Sequence, residues 1–344
     1  MAKTQWMIAV LAAALTLGCN KDNGGTQASD ANGKTAGKNF EIAVIPKGST
    51  HDFWKHVHQG ANEAAEELKK DGINVTINFQ GPQVESDKNS QINMVDTMLS
   101  KNVAGIVLAP LDEKALAPSV EKAVAQEIPV VIIDSDVATS KYVSFVATDN
   151  EKGGHMAGAE MIKRLGGKGR VVVMRYQAGS ASTDKREKGF IDEIQANGKG
   201  IQIVSMDQYA GATRESAQKT AENILAAQAK PDGSPNVDGI YCPNESSTAG
   251  MLNVLEGKDW AGKVHFLGFD ASQDLIDGLN KGEIDGLIVQ NPAKMGHDGV
   301  ITLVQYLTGK NKSPEKRIDT GCYLITKDNI SQPDMAKLLQ PAKV

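Results

Sequence analysis

Aromatic residues are scarce in this 344-residue chain, at 5%, so any that gather at one place stand out. Cysteine is scarcer still: there are three, and no Cys-x-x-Cys occurs. Positive charge is not in excess, with 37 Lys and Arg against 42 Asp and Glu and a net charge of -5, so there is no basic footprint for nucleic acid. The apolar run at 7–17 (MIAVLAAALTL) is too short to span a bilayer. No G-x-S-x-G, H-E-x-x-H or P-loop occurs, and the glycines of LGGKGR (165–170) precede a strand rather than follow one, which excludes a dinucleotide loop. No nucleophile stands beside a base, so the chain reads as no enzyme, with no cofactor. His51, His56 and His58 cluster in sequence, but 56 and 58 point apart on a helix and no acidic or Cys partner has metal spacing, so no metal is expected.

What is present has a globular balance, 40% apolar and 23% charged, in a length that allows roughly two domains. The first residues stand apart. Lys3 followed by the run at 7–17 and Leu-Gly-Cys has the form of a lipoprotein signal, 1–19, with Cys19 as the lipidated residue and an ordinary cleavage site as the alternative. Residues 20–39 (NKDNGGTQASDANGKTAGKN) hold no aliphatic side chain larger than Ala and read as a flexible linker. Such a tether spans roughly 25 Å, enough to hold a globule clear of a membrane. Cys242 and Cys322 sit inside apolar runs, as a disulfide in an oxidising compartment or as two buried thiols.

The mature chain is organised around IPVVIIDSD at 128–136. Val130 to Ile133 are β-branched and read as a parallel strand buried on both faces. The strand ends on Asp134, Ser135 and Asp136, at the carboxyl edge where open α/β sheets bind ligands. GIVLAPLD, GIYCPNE, VHFLGFD and GLIVQN end likewise on Asp112, Glu245, Asp270 and Asn291. Acids after strands are common singly; five such ends predict a shared cleft. Strand and helix alternate from Phe40, starting with FEIAVIP and a helix carrying Phe53, Val57, Ala61, Ala64 and Leu68, and a second run of the same rhythm starts after YVSFVATDN. The fold class is α/β, with two doubly wound parallel-sheet lobes.

The ordered blocks IAVIP, HDFWKHVHQGA, APLDEKAL, IPVVIIDSD, VATDNEKGG, STDKREKGF, YCPNESSTAG, VHFLGFDAS and LIVQNPAKMG resemble the ribose- and galactose-binding proteins of ABC transporters, whose pattern the effector domains of lactose-repressor-type regulators share. The resemblance covers 40–329. It implies a type I periplasmic-binding-protein fold: lobes at 40–148 plus 291–319 and at 149–290 plus 320–344, joined by three hinge crossovers near Thr148, Gln290 and Thr320. It implies ligand contacts at His51, Phe53, Trp54, Asp134, Ser135, Arg186, Asn244, Phe269, Asp270 and Gln290. Lys47 and Asp136 join them, Lys47 through a similarity to autoinducer-2 binders, whose Asp-Ser-Asp block the chain also resembles.

These residue types suit a sugar. Carboxylates accept paired hydrogen bonds from adjacent hydroxyls, Arg and Asn donate to oxygens, and aromatic faces cover the C–H face of a ring. The bland alternatives are core packing for Phe53 or Trp54, helix caps for Asp134 and Asp270, and a surface ion pair for Arg186. Ser135 stands where the ribose binder has an arginine, His51 replaces an asparagine, and Ala212 falls near a phenylalanine position, so ribose itself is not implied. Near-balanced charge favours a small neutral sugar or polyol. The expected protein is an exported monomer, periplasmic or at the cell surface, held to the membrane only by its lipid anchor. It hands a monosaccharide-like ligand to an ABC permease; the alternative is presentation of an autoinducer-2-like or sensory ligand to a membrane receptor. A repressor is excluded by the signal and by the lack of an N-terminal helix-turn-helix.

Overall fold

The structure, a computed structural model, describes residues 38–343. The expected leader and Cys19 lie outside the described residues, as does nearly all of the expected linker. Its last two positions do not belong to a linker: Lys38 and Asn39 open the first strand, paired to Ile73 and Asn74.

The first lobe runs β1 (Lys38–Ile45), α1 (Asp52–Lys70), β2 (Ile73–Phe79), α2 (Lys88–Ser100), β3 (Gly105–Leu108), α3 (Ala117–Ala125), β4 (Val130–Ile133) and β5 (Ser144–Ala147). The chain then crosses to α4 (Asn150–Arg164), β6 (Lys168–Val173), α5 (Ala181–Asn197), β7 (Gly200–Ser205), α6 (Arg214–Ala227), β8 (Gly239–Tyr241), α7 (Glu245–Gly257), β9 (His265–Phe269), α8 (Gln273–Lys281) and β10 (Gly286–Gln290). It returns for α9 (Pro292–Leu307) and β11 (Arg317–Asp319), and crosses once more for β12 (Cys322–Ile325) and α10 (Pro333–Leu338). The two sheets have the orders β11-β5-β4-β3-β1-β2 and β12-β10-β9-β8-β6-β7, the same topology twice. The final segment TGCYLITKD, read in sequence as one strand, comes after a separate strand. RID joins the first sheet parallel to β5, while CYLI joins the second antiparallel to β10.

Period-two alternation explains the apolar runs. Ile42, Val44, Val131 and Ile133 face α1 and α9, while Ala43, Ile45, Val130 and Ile132 face α2 and α3. The second sheet is likewise covered by α4 and α5 on one face and by α6, α7 and α8 on the other. Two helix pairs pack backbone to backbone. A Cβ on Gly60 would lie 1.8 Å from the Ala293 carbonyl, joining α1 to α9, and one on Gly154 would lie 2.1 Å from the Arg186 carbonyl, joining α4 to α5. The helix expected over 111–127 starts only at Ala117. Pro118 has no N–H to donate to the carbonyl four residues back and so suits only the first turn of a helix, and the Asp112 carboxylate instead accepts the Lys114 and Ala115 amides in a turn.

Candidate ligand-binding site

The carboxyl ends of both sheets meet in a small cavity between the lobes. Its wall includes Lys47, His51, Phe53, Trp54, Asp134, Arg186, Asn244, Asp270 and Gln290, all named from sequence. The two strand-end acids hold matching places. Asp134 follows β4 at φ 59° and Asp270 follows β9 at φ 66°, a left-handed conformation that Asp tolerates. Each amide donates to the neighbouring strand, Asp134 to Val146 O and Asp270 to Ile288 O, so each chain curls and turns its carboxylate into the cleft.

Asp134 accepts from Lys47 Nζ at 2.9 Å and lies 3.8 Å from Arg186 Nη2. Arg186 Nε donates to Asn150 Oδ1 at 2.8 Å and Nη1 to the Pro243 carbonyl at 3.0 Å, while Nη2 has no hydrogen-bond partner. Gln290 Nε2 donates to Asp270 Oδ1 at 2.7 Å, and Gln290 Oε1 is equally without a partner. Burial pushes the Asp270 carboxyl up to about 6, only partly offset by Arg186 and the Gln290 hydrogen bond. Asn244 lines the cavity, but its Oδ1 caps α7 through Ser247 N at 3.2 Å. Phe53 and Trp54 meet edge to face with centroids 4.8 Å apart, and both are buried.

Three residues expected at the ligand do not line the cavity. Phe269 ends β9 with its ring in the core of the second lobe, where the Arg186 guanidinium stacks over it at 4.0 Å. Strand alternation sends that ring into the sheet face and leaves Asp270 to turn outward. Ser135 Oγ accepts the Ser182 amide of the other lobe at 3.1 Å. Asp136 pairs with Lys185 at 3.1 Å and is part-exposed, away from the cavity wall. Asp112 and Asn291 are also elsewhere, bound to Lys88 and capping α9.

Glu85, Tyr176, Ser182 and Thr183 line the cavity and were missed. Glu85 follows β2 and Tyr176 follows β6, so the strand-edge rule extended to two more strands would have found them. Burial works against charge on His51, but Glu85 at 2.7 Å outweighs it and raises the imidazole to about 9. Burial would likewise raise Glu85, but His51, Lys47 and Tyr176 bring it down to about 2. Three cations, Lys47, His51 and Arg186, thus face three carboxylates, Glu85, Asp134 and Asp270.

Further contacts close the lobes on each other: Lys47 Nζ donates to Ser182 Oγ at 3.0 Å, and the Phe53 amide to Glu245 Oε2 at 3.4 Å. Of the other clustered histidines, His56 bonds the Asp52 and Gln340 carbonyls and His58 stacks on Phe79. Among the described residues one trio has metal-ligand spacing, Glu151, His155 and Asp192, but the Lys188 ammonium already lies 2.7 Å from Glu151 and 2.5 Å from Asp192. Cys242 and Cys322 are free thiols. Among the described residues no helix is long and apolar enough to cross a membrane.

A model of the periplasmic binding protein domain matches residues 42–311. The chain belongs to this family. Within it the binding protein is similar to the D-apiose import binding protein of Paraburkholderia graminis, 29% identical over 86% of this chain and 90% of that one. It is similar to the D-allose-binding periplasmic protein of Escherichia coli, 28% identical over 81% and 89%. Among solved structures it resembles an ABC transporter solute-binding protein from Agrobacterium vitis with bound D-fucose, at 39% identity over 87% of this chain and all of that one, TM-score 0.81. Another from Agrobacterium radiobacter, in complex with D-arabinose, is 29% identical over 88% and 99%, TM-score 0.80. The chain is a solute-binding protein of the ABC sugar-import class and not an enzyme.

Proposed function

We propose that the binding protein captures one monosaccharide between its lobes and delivers it to an ABC permease. The observation that carries this reading is the pair of buried polar atoms without partners, Arg186 Nη2 as donor and Gln290 Oε1 as acceptor, on the wall of one cavity. Buried polar groups are otherwise satisfied in folded proteins, so these two await a ligand oxygen that accepts from Arg186 and a ligand hydroxyl that donates to Gln290. Asp134 and Asp270 accept from hydroxyls, and Phe53 and Trp54 cover the apolar face of the ring. Balanced charge on the cavity wall favours a neutral ligand. The autoinducer-type alternative has no relative behind it among these import proteins.

Calorimetric titration with D-fucose, D-arabinose, D-allose, D-ribose and D-apiose tests the reading. At least one should bind at micromolar or tighter affinity and return chemically unchanged; failure of all five would sink the monosaccharide assignment. Export and anchoring through Cys19 belong to the same proposal. Mass spectrometry of the mature N-terminus should find a diacylated or triacylated Cys19, and a chain that lacks Cys19 would refute the anchor.

A further inference from the structure

The Glu85 carboxylate accepts three side-chain donors, from both lobes. Its Oε1 accepts from Trp54 Nε1 at 2.6 Å and from His51 Nδ1 at 2.7 Å, both at the start of α1 in the first lobe. Its Oε2 accepts from Tyr176 Oη at 2.6 Å, and its carbonyl from Gln177 Nε2 at 2.8 Å, both from the second lobe. The residue is 5% exposed. Close backbone approach holds it in place: a Cβ on Gly48 would stand 2.7 Å from Glu85 Cγ.

We propose that Glu85 is a positioning residue for the ligand, one buried carboxylate that fixes Trp54 and His51 in the first lobe and engages Tyr176 of the second lobe only when the cleft is closed. The chemistry explains both halves. The indole N–H, the imidazolium N–H and the phenol O–H are all donors, and an ionised carboxylate has about four acceptor positions for them. Two donors come from its own lobe and keep their partner in any lobe arrangement. The Tyr176 hydroxyl is 91 residues away across the cleft and reaches the carboxylate only on closure. Charge-assisted bonds of this kind are about twice as strong as neutral ones, so the orientation of the aromatic wall and the closed state share one acceptor. With its lone pairs engaged by protein, Glu85 shapes the ligand's surroundings rather than serving as its main hydroxyl acceptor.

The inference rests on the proposed cleft binding, but its first test needs no sugar. In ligand-free protein, the wild-type Trp54 indole N–H resonance should lie downfield, and His51, assigned by a His51→Gln variant, should titrate well above 6.5. In Glu85→Gln the indole signal should move upfield and the His51 titration fall toward or below 6.5. Gly48→Ala, which crowds Glu85 without touching the cavity, should shift both in the same direction and guards against a misfolded Gln variant.

With D-fucose or D-arabinose, stopped-flow kinetics should show Tyr176→Phe raising the dissociation rate on the order of tenfold or more, with association nearly unchanged. The Glu85→Gln, Tyr176→Phe double variant should lose little beyond Glu85→Gln alone, because both act through one bond. Unchanged indole and imidazole signals in Glu85→Gln overturn the proposal whether or not a sugar binds; additive losses in the double variant overturn the cross-cleft half. If wild type binds neither sugar, the sugar assignment is at fault, and the ligand-free titration still decides the role of Glu85.

Discussion

Asp270 and Asp134 look alike in sequence and answer to different physics. Asp270 has its pKa raised from the usual 3.8 to about 6, with burial as the main cause. Its folded state therefore holds a proton more tightly than the unfolded chain does. The stability this contributes is complete below 3.8 and lost as pH rises through about 6. At pH 7 the ionised carboxylate gives the fold nothing from this linkage. Asp270→Asn, a residue that also accepts φ 66°, should leave the melting temperature at pH 7 unchanged or higher. The same change should weaken sugar binding by roughly 10- to 150-fold, the worth of about 1.5–3 kcal/mol for a charge-assisted hydrogen bond. Wild-type affinity should rise with pH through about 6, as the acceptor ionises, which calorimetry at pH 5 and 7.5 measures. Asp134 instead neutralises buried Lys47 at 2.9 Å. An acid at a strand end facing a wet cleft would be removable without harm to the fold. With Lys47 beside it, Asp134→Ala should cost about 3–5 kcal/mol of stability, because it strands a buried charge. Adding Lys47→Met should restore much of that in thermal melts; no recovery would mean the ion pair is not what matters.

At the scale of elements, the position of Arg186 depends on a helix contact. Gly154 on α4 lies against the Arg186 carbonyl and the Phe190 amide of α5, where a Cβ would stand 2.1 Å and 2.8 Å away. Gly154→Ala should push the helices apart, lower stability by about 1–3 kcal/mol or more, and weaken sugar binding by displacing Arg186. Gly257, the last residue of α7, has nothing within 4 Å of an added Cβ. Gly257→Ala should therefore stabilise by up to about 1 kcal/mol through helix propensity alone, with affinity unchanged. Denaturant melts and calorimetry on the two variants separate close packing from propensity. The segment NEKGGHMAGAEMIKRLGG carries Ala and Gly at helical spacing, a packing face visible within its own sequence. Which helix that face meets is not visible there, because α4 and α5 are separated by a strand and a loop.

At the scale of the molecule, the lobes are held closed by bonds from both sides, and the C-terminal stretch adds to them. Met335, Leu338 and Leu339 pack on the second lobe's core, while Gln340 O accepts from His56 and the Lys343 amide donates to Gln59, both on α1 of the first lobe. From sequence the stretch 320–344 reads as part of the second lobe alone; its last residues instead touch the first as well. Small-angle scattering should show the radius of gyration falling on saturation with the sugar that binds, since the closed form alone gains contacts from both lobes. Truncation after Leu339 should raise the ligand-free radius and leave the melting temperature within a few degrees. An identical profile before and after saturation would count against hinge closure.

The order of strands and helices was determined by the sequence, because β-branched runs and helical spacing are local and period two or 3.6 survives without knowledge of neighbours. So were Asp134 and Asp270 as cleft-facing acids, since the carboxyl edge of a parallel sheet is known once its strands are. The tertiary structure decided what those edges share. It set a separate strand, RID, in the first sheet just ahead of the last strand in the second, turned Phe269 inward beneath Arg186, and brought Glu85 and Tyr176 to 2.6 Å across 91 residues. Each of these depends on how two separately folded lobes meet. A hydrogen bond between distant segments leaves no periodic trace in either one.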